Sequence, residues 1–409
     1  MKLINKTILI LVILILSVLA GCTTTEKNKE YNPEDFRTIV DMRGTEVLVP
    51  KNISRVVDIS DGFVTSVLYN LGLQDTVIGL GSTNLQEIDT YTFQTNQGEN
   101  YSYENASDPI AYLMKESIKD LPAVAEYDVA VNYETIASLE PDVVFIRIGF
   151  CSMNTDEYGT DEDITNTIDT IESLEIPVVV LYGPPTLDNP SIEKISDEIN
   201  TIGDVFDMKD KSNELAEYLE GIVDLITNRT KDITDEEKPD VLLFGLSPNA
   251  RESGGAGDVL CTDTIESYFI EDLVNAKNAI QETGGWKIMS AEQILNLNPD
   301  VIVLPTDWGY HPPRELYTAS YYENLQILDA VLNRRVWGLP FTPYNCAKRI
   351  EYPIEIMVIA KASYPELFAD FLIHEWVLDF YKEVYHVDDE TAMTLRSVQL
   401  LDWTVEENV

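Results

Sequence analysis

Arg147, Arg251 and Arg349 are sparse positive charges in a chain with 28 basic against 71 acidic residues. Tyr182, Trp308, Tyr310, Phe341 and Tyr344 are aromatics in the same regions of the sequence. A guanidinium offers a planar fork of donors to carboxylate or catecholate oxygens, and aromatic faces cover an organic body. Together they suit a large, partly apolar, anionic ligand. Each arginine also has a plainer reading, pairing with one of the abundant carboxylates. For Phe341 and Tyr344 the plainer reading is core packing.

Other chemistry finds less support. The three histidines, His311, His374 and His386, all lie in the second half. A zinc- or manganese-type site between two halves would need imidazoles from both, so no metal ligand is assigned. Tyr321-Tyr322 reads as packing at a helix start. Gly254-Gly255-Ala256-Gly257 lacks the Lys-Ser/Thr of a phosphate cradle, and no HExxH or nucleophile elbow occurs. No catalytic residue is assigned and no enzyme is expected. A surface hydrolase using two carboxylates is the reading from another class, and a sensor or adhesion module is a further one. The formal charge of −43 argues against nucleic acid and anionic membrane surfaces as partners.

The elements that must position these residues alternate strand and helix. Phe36 to Pro50 predicts a hairpin around Met42-Arg43-Gly44. Buried-type strands are expected at Arg55–Ser60, Thr76–Leu80, Val143–Ile148, Val178–Leu181, Asp240–Phe244, Val301–Leu304 and Arg335–Leu339. Helices fall between them. Residues 84–126 break the pattern and read as an insertion near the site or a loose excursion. Short connections make each half an α/β unit with a mainly parallel sheet. Ligands bind beyond the carboxyl ends of such strands. That selects Asp61, Ser82, Thr83, Arg147 and Tyr182 in the first half. In the second it selects Ser247, Arg251, Glu252, Asp307, Trp308 and Tyr310.

Between the halves, Asp207 to Asp232 reads as one long helix. Leu215, Leu219, Ile222 and Ile226 form its apolar face, with Asp207 as N-cap. On either side stands one motif. Glu134-Thr-Ile136-Ala-Ser-Leu139-Glu-Pro141-Asp142-Val143-Val144 matches Glu292-Gln-Ile294-Leu-Asn-Leu297-Asn-Pro299-Asp300-Val301-Ile302 in register. Each is a helix ended before proline, turning into a buried strand. Duplication explains the full match better than two independent copies of a common unit. The domain reading follows: 36–206 a first lobe, 207–232 the linking helix, 233–409 a second lobe.

Ahead of the lobes, Lys2 and Lys6 precede the apolar run Ile8 to Ala20, then Leu19-Ala20-Gly21-Cys22. The run is a secretory signal, too short for a comfortable membrane span. Its end resembles a lipobox, which implies cleavage before Cys22 and lipidation of its thiol. Residues 1–21 are then the signal and 22–35 a tether. The mature chain is expected on the extracytoplasmic face of the cell membrane. Cys151, Cys261 and Cys346 read as structural or free thiols, because three cannot all pair.

These features together resemble the substrate-binding lipoproteins of ABC importers for ferric siderophores, haem and vitamin B12. The carrying residues are the lipobox, the hairpin Val40 to Pro50 leading into Arg55-Val56-Val57 and the paired Glu-x-Ile-x-x-Leu-x-Pro-Asp-Val motif. Gly284-Gly285-Trp286 and Leu339-Pro340-Phe341 add to them. The resemblance implies two lobes bridged by a rigid helix, a ligand in the cleft between them, and a monomer that serves a permease and an ATPase. No cofactor of its own is implied; the ligand would be an iron-containing chelate, or alternatively cobamide, haem or an oxyanion. Trp286 matches the family's cleft aromatic in the second lobe. In the first lobe Asp128 stands where the family has tryptophan, beside Tyr127, which puts stacking on a B12-like ligand in doubt. Glu134 and Glu292 match the glutamates that dock on permease arginines in the family; favourable helix-start electrostatics is their plainer role.

Overall fold

The computed structural model describes residues 32–81, 83–125, 131–149, 161–306, 311–342 and 348–409. By its contacts the chain divides into Met1–Phe36 and Arg37–Val409, and the second unit holds all that follows. Strands β1 (Phe36–Val40) and β2 (Glu46–Pro50) form the expected hairpin. Next come β3 (Val56–Ile59), helix α1 (Phe63–Asn70) and β4 (Val77–Leu80). The excursion that follows is ordered. It folds as an antiparallel hairpin, β5 (Asp89–Gln94) and β6 (Asn100–Ala106), then helix α2 (Pro109–Leu113). Helix α3 (Tyr133–Ser138) leads into β7 (Val143–Ile148). Helix α4 (Asp161–Glu172) leads into β8 (Val178–Tyr182). The first sheet is wholly parallel, in the order β4-β3-β7-β8.

Helix α5 (Lys194–Phe206) then meets the long helix α6 (Lys209–Thr230). Its 22 residues reach about 33 Å at 1.5 Å per residue. Asp207 does not cap it. That residue takes left-handed geometry, φ 58° and ψ 38°, and ends α5 instead. Ser212, Leu215, Ala216, Leu219, Val223, Ile226 and Thr230 are buried along α6, a seam at three- and four-residue steps. The seam packs on α5 on one side and on a second-half helix described below on the other.

In the second half, β9 (Asp240–Gly245) leads to α7 (Pro248–Glu252). Strands β10 (Gly257–Leu260), β11 (Lys277–Asn278) and β12 (Trp286–Met289) follow. Helix α8 (Ala291–Leu297) precedes β13 (Val301–Leu304), and α9 (Pro313–Thr318) precedes β14 (Val336–Gly338). The sheet runs β12-β10-β9-β13-β14, with β11 also on β9. Strands β9, β11, β13 and β14 are parallel, while β10 and β12 add an antiparallel edge absent from the first lobe. Helix α10 (Tyr352–Ser363) carries the surface that meets α6. Helices α11 (Ile373–Tyr385) and α12 (Asp389–Val398) reach back to α1 and α2, and a short helical turn at Trp403–Glu406 follows them.

Both sheets are covered on both faces. Val143 and Phe145 of β7 face a core shared with α5, α6 and α10, whereas Val144 and Ile146 face the core under α4. Leu242 and Phe244 of β9 face a third core, which receives Phe93 from the β5–β6 hairpin. Strands buried on two faces have no polar side, hence their continuous apolar sequences.

The repeated motif has one structural job in both lobes. Asp142 Oδ2 accepts from the backbone N–H groups of Ser54 (2.8 Å) and Arg55 (3.0 Å) at the entry to β3. Asp300 Oδ2 accepts from the N–H of Asp240 (2.9 Å) at the entry to β9. Each aspartate returns its own N–H to the neighbouring strand, Asp142 to Arg55 O and Asp300 to Asp240 O. The proline ends a helix and the aspartate sets the register of the central parallel pair.

Candidate functional site

The sheets present their carboxyl ends to loops where the halves meet, and a buried ion network fills that junction. Arg147, on β7, donates from Nε and Nη2 to Glu198 (2.7 and 2.9 Å), from Nη1 to Asp61 (3.2 Å) and from Nη2 to Lys348 O (3.0 Å). Its guanidinium also lies 4.1 Å from the Phe63 ring centroid. Arg349 donates from Nε to Asp61 O (2.9 Å) and from Nη1 to Asp108 (3.2 Å) and Thr342 (2.7 Å). Lys348 Nζ is held between Glu266 (2.8 Å) and Glu355 (2.7 Å). Asp61 is therefore the residue that brings Arg147 and Arg349 together. Both arginines are almost wholly buried, and the partners reach across from one half to the other. An incoming anion would have to displace Glu198, Asp61 or Asp108 to reach them.

Arg251 differs. It sits in α7, just past the carboxyl end of β9, with its side chain 21% exposed. Nη1 donates to Leu246 O and to the Tyr322 hydroxyl (2.7 Å). Nε and Nη2 make no hydrogen bond to any described residue. The guanidinium stacks 4.3 Å from the Tyr321 ring centroid, and the Tyr321 side chain is itself partly open to solvent. A half-open cation with two spare donors on an aromatic face is a ready partner for an oxygen-rich anion.

Next to it lies a polar cluster that sequence reasoning missed. Glu315 of α9 is fully buried. Its Oε1 accepts from the hydroxyls of Tyr91 (2.8 Å) and Tyr321 (2.7 Å), and its Oε2 lies 3.1 Å from His311 Nδ1. Arg251 Nη1 stands 3.8 Å from Oε1. Burial, then the Glu315 charge, pushes the Tyr91 phenol well above its ordinary value. The available signals were the Tyr91-x-Phe93 and Tyr101-x-Tyr103 alternation and the four-residue step from His311 to Glu315. Neither says which parts of the chain meet.

The remaining candidates scatter. Tyr182 ends β8, half-buried, with Lys194 Nζ 5.4 Å over its ring. Trp286 opens edge strand β12 and is 54% exposed. It pairs with Leu260, three residues below the Gly257–Met289 end nearest the carboxyl ends of β9 and β13. Phe341 is buried in the core, its N–H bonded to Gln399 O at 2.9 Å. Glu134 and Glu292 are exposed in the first turns of α3 and α8, which are capped by Asn132 and Ser290. Cys261 is a buried free thiol. Tyr127, Trp308, Tyr310, Tyr344, Cys22, Cys151 and Cys346 lie outside the described residues. Among the described residues no group of His, Cys, Asp and Glu could hold a metal ion, and no helix is long and apolar enough to cross a membrane.

Known proteins share this fold. The chain is 25% identical over 292 residues to an uncharacterized ABC transporter substrate-binding lipoprotein, YvrC of Bacillus subtilis, covering 70% of this chain and 76% of that one. It is 24% identical over 277 residues to the molybdate-binding protein MolA of Haemophilus influenzae, covering 63% of this chain and 70% of that one. A periplasmic solute binding protein of Veillonella parvula superposes with a TM-score of 0.66 at 19% identity, over 91% of this chain and all of that one. The sequence pattern described as periplasmic binding protein matches residues 61–341. The chain belongs to the periplasmic binding protein family, the solute-binding proteins of ABC transporters, and is a binding protein rather than an enzyme.

Proposed function

We propose that the protein captures a ferric siderophore or similar iron chelate in the cleft between its lobes and delivers it to the permease and ATPase of an ABC importer. One observation carries the ligand class. Arg251 is partly open to solvent and keeps two donors without a hydrogen-bond partner among the described residues, beside the open Tyr321 ring, while Arg147 and Arg349 are enclosed by buried carboxylates. An anion with an organic body uses both features, the guanidinium for its oxygens and the ring for its surface. No cofactor of its own enters this reading. Lipidation at Cys22 would keep the protein at the extracytoplasmic membrane face, where a monomer can shuttle between ligand and permease.

A second reading is an oxyanion, supported by the similarity to a molybdate-binding protein. Titration of intrinsic fluorescence with a ferric tricatecholate, ferric citrate, haem and molybdate separates the two. Tight binding of a ferric complex is expected, weakened about tenfold or more by Arg251→Ala, as for removal of one partner of a charged hydrogen bond. Preference for molybdate would transfer the assignment to the oxyanion. An unchanged affinity in Arg251→Ala would sink both.

A further inference from the structure

We propose that the β5–β6 hairpin belongs to the ligand site: through Tyr91 it holds Glu315 off Arg251 and so keeps the guanidinium edge open to an anion. The inference rests on Arg251 as the ligand-facing cation. The hairpin is inserted between two strands of the first sheet, yet it docks on the second lobe. Phe93 enters that lobe's outer core, and Asn96 N–H donates to Thr318 O at 2.7 Å. Tyr91 meets the His311 ring edge-on at 5.2 Å, and Arg314 lies 4.3 Å over Tyr101. The Tyr91 hydroxyl is thereby delivered to Glu315.

Buried carboxylate and guanidinium ordinarily close to a contact of about 2.7–2.9 Å. Here Arg251 Nη1 and Glu315 Oε1 stand 3.8 Å apart, beyond hydrogen-bond distance. The reason lies in the other partners. Oε1 already accepts from two phenols, and Nη1 already donates to Leu246 O and Tyr322. Without the Tyr91 hydroxyl, Oε1 lacks one donor, and Arg251 is the neighbouring cation whose spare Nε and Nη2 hydrogens can turn toward it. With those donors turned to Glu315, the edge left for a ligand is withdrawn. Tyr91 acts through Glu315, so it is a positioning residue and needs no contact with the ligand.

Arginine accessibility tests this without any ligand. The full chain is treated with phenylglyoxal, and labelling of the Arg251 peptide is timed by mass spectrometry against the peptide bearing exposed Arg334. Tyr91→Phe and Tyr321→Phe should each slow Arg251 labelling about three- to tenfold, the scale of one hydrogen bond, at unchanged Arg334 labelling and melting temperature. Glu315→Gln should speed it, and the double variant Tyr91→Phe/Glu315→Gln should behave as Glu315→Gln alone. Wild-type labelling rates in Tyr91→Phe, or a double variant as slow as Tyr91→Phe, would overturn the proposal. If Glu315→Gln does not fold, the two tyrosine variants decide. Protection of wild-type Arg251 by ferric citrate or molybdate is scored separately. Slowed labelling in Tyr91→Phe without such protection removes the ligand reading and leaves the positioning role standing.

Discussion

At the residue scale, the lobe junction stores titratable groups away from water. Burial pushes Glu351 up to about 7, against the hydrogen bond from Tyr385. Burial likewise pushes Asp108 up to about 6, against the attraction of Arg349. A carboxyl whose folded value is raised binds its proton more tightly in the native state. Its contribution is present at low pH and is lost as pH rises through the folded value. Stability should therefore fall between about pH 4 and pH 7, by of order 1–3 kcal/mol for each group. Glu351→Gln should flatten that decline, read as urea midpoints across the range. A pH profile parallel to the wild type would show that Glu351 does not carry it.

At the element scale, α5 and α6 each carry a glycine, and the two have opposite surroundings. A Cβ on Gly203 would lie 2.0 Å from Ser212 Oγ, so only glycine lets the helices approach this closely. Gly221, exposed within α6, would meet nothing within 4 Å. Gly203→Ala should destabilise by about 1–3 kcal/mol through overpacking. Gly221→Ala should stabilise by about 0.5–1 kcal/mol, because a helix-interior glycine gives up backbone freedom for nothing. Thermal unfolding of the two variants checks the pair, and equal effects would contradict the packing described for α6.

At the scale of the molecule, α6 joins the lobes while the hairpin and the Arg147–Arg349 network tie them again. Such a body suits a small rocking motion on ligand capture, since interfaces of this kind have to break charged contacts to open. Glu134 and Glu292 are exposed on the two lobes, and the proposed delivery to a permease would use them as its grip points. Replacing both by alanine should leave ligand affinity unchanged in the isolated protein and lower uptake in cells roughly tenfold, as for truncating charged contacts at an interface. Weakened ligand binding would place them in the ligand machinery instead.

Much of this was written locally. The strands β3, β7, β8, β9 and β13 show as apolar runs because both their faces are buried. The α6 seam shows as a 3.6-residue period, and the Pro-Asp turn shows as a repeat. Short, partly exposed strands such as Trp286–Met289 lack that signature, and the β5–β6 alternation says nothing of the lobe it packs on. Charge compensation is the extreme case. Arg147, Arg251 and Arg349 look alike in sequence. Arg147 meets Glu198 and Asp61 from 51 and 86 residues away, and Arg349 meets Asp108 from 241 residues away. Periodicity records which face of an element is buried, so composition and pattern alone determined the two-lobe α/β plan. Which of these arginines is enclosed depends on carboxylates brought in from distant segments, and only the tertiary structure decided that Arg147 and Arg349 are buried among them while Arg251 stays partly open.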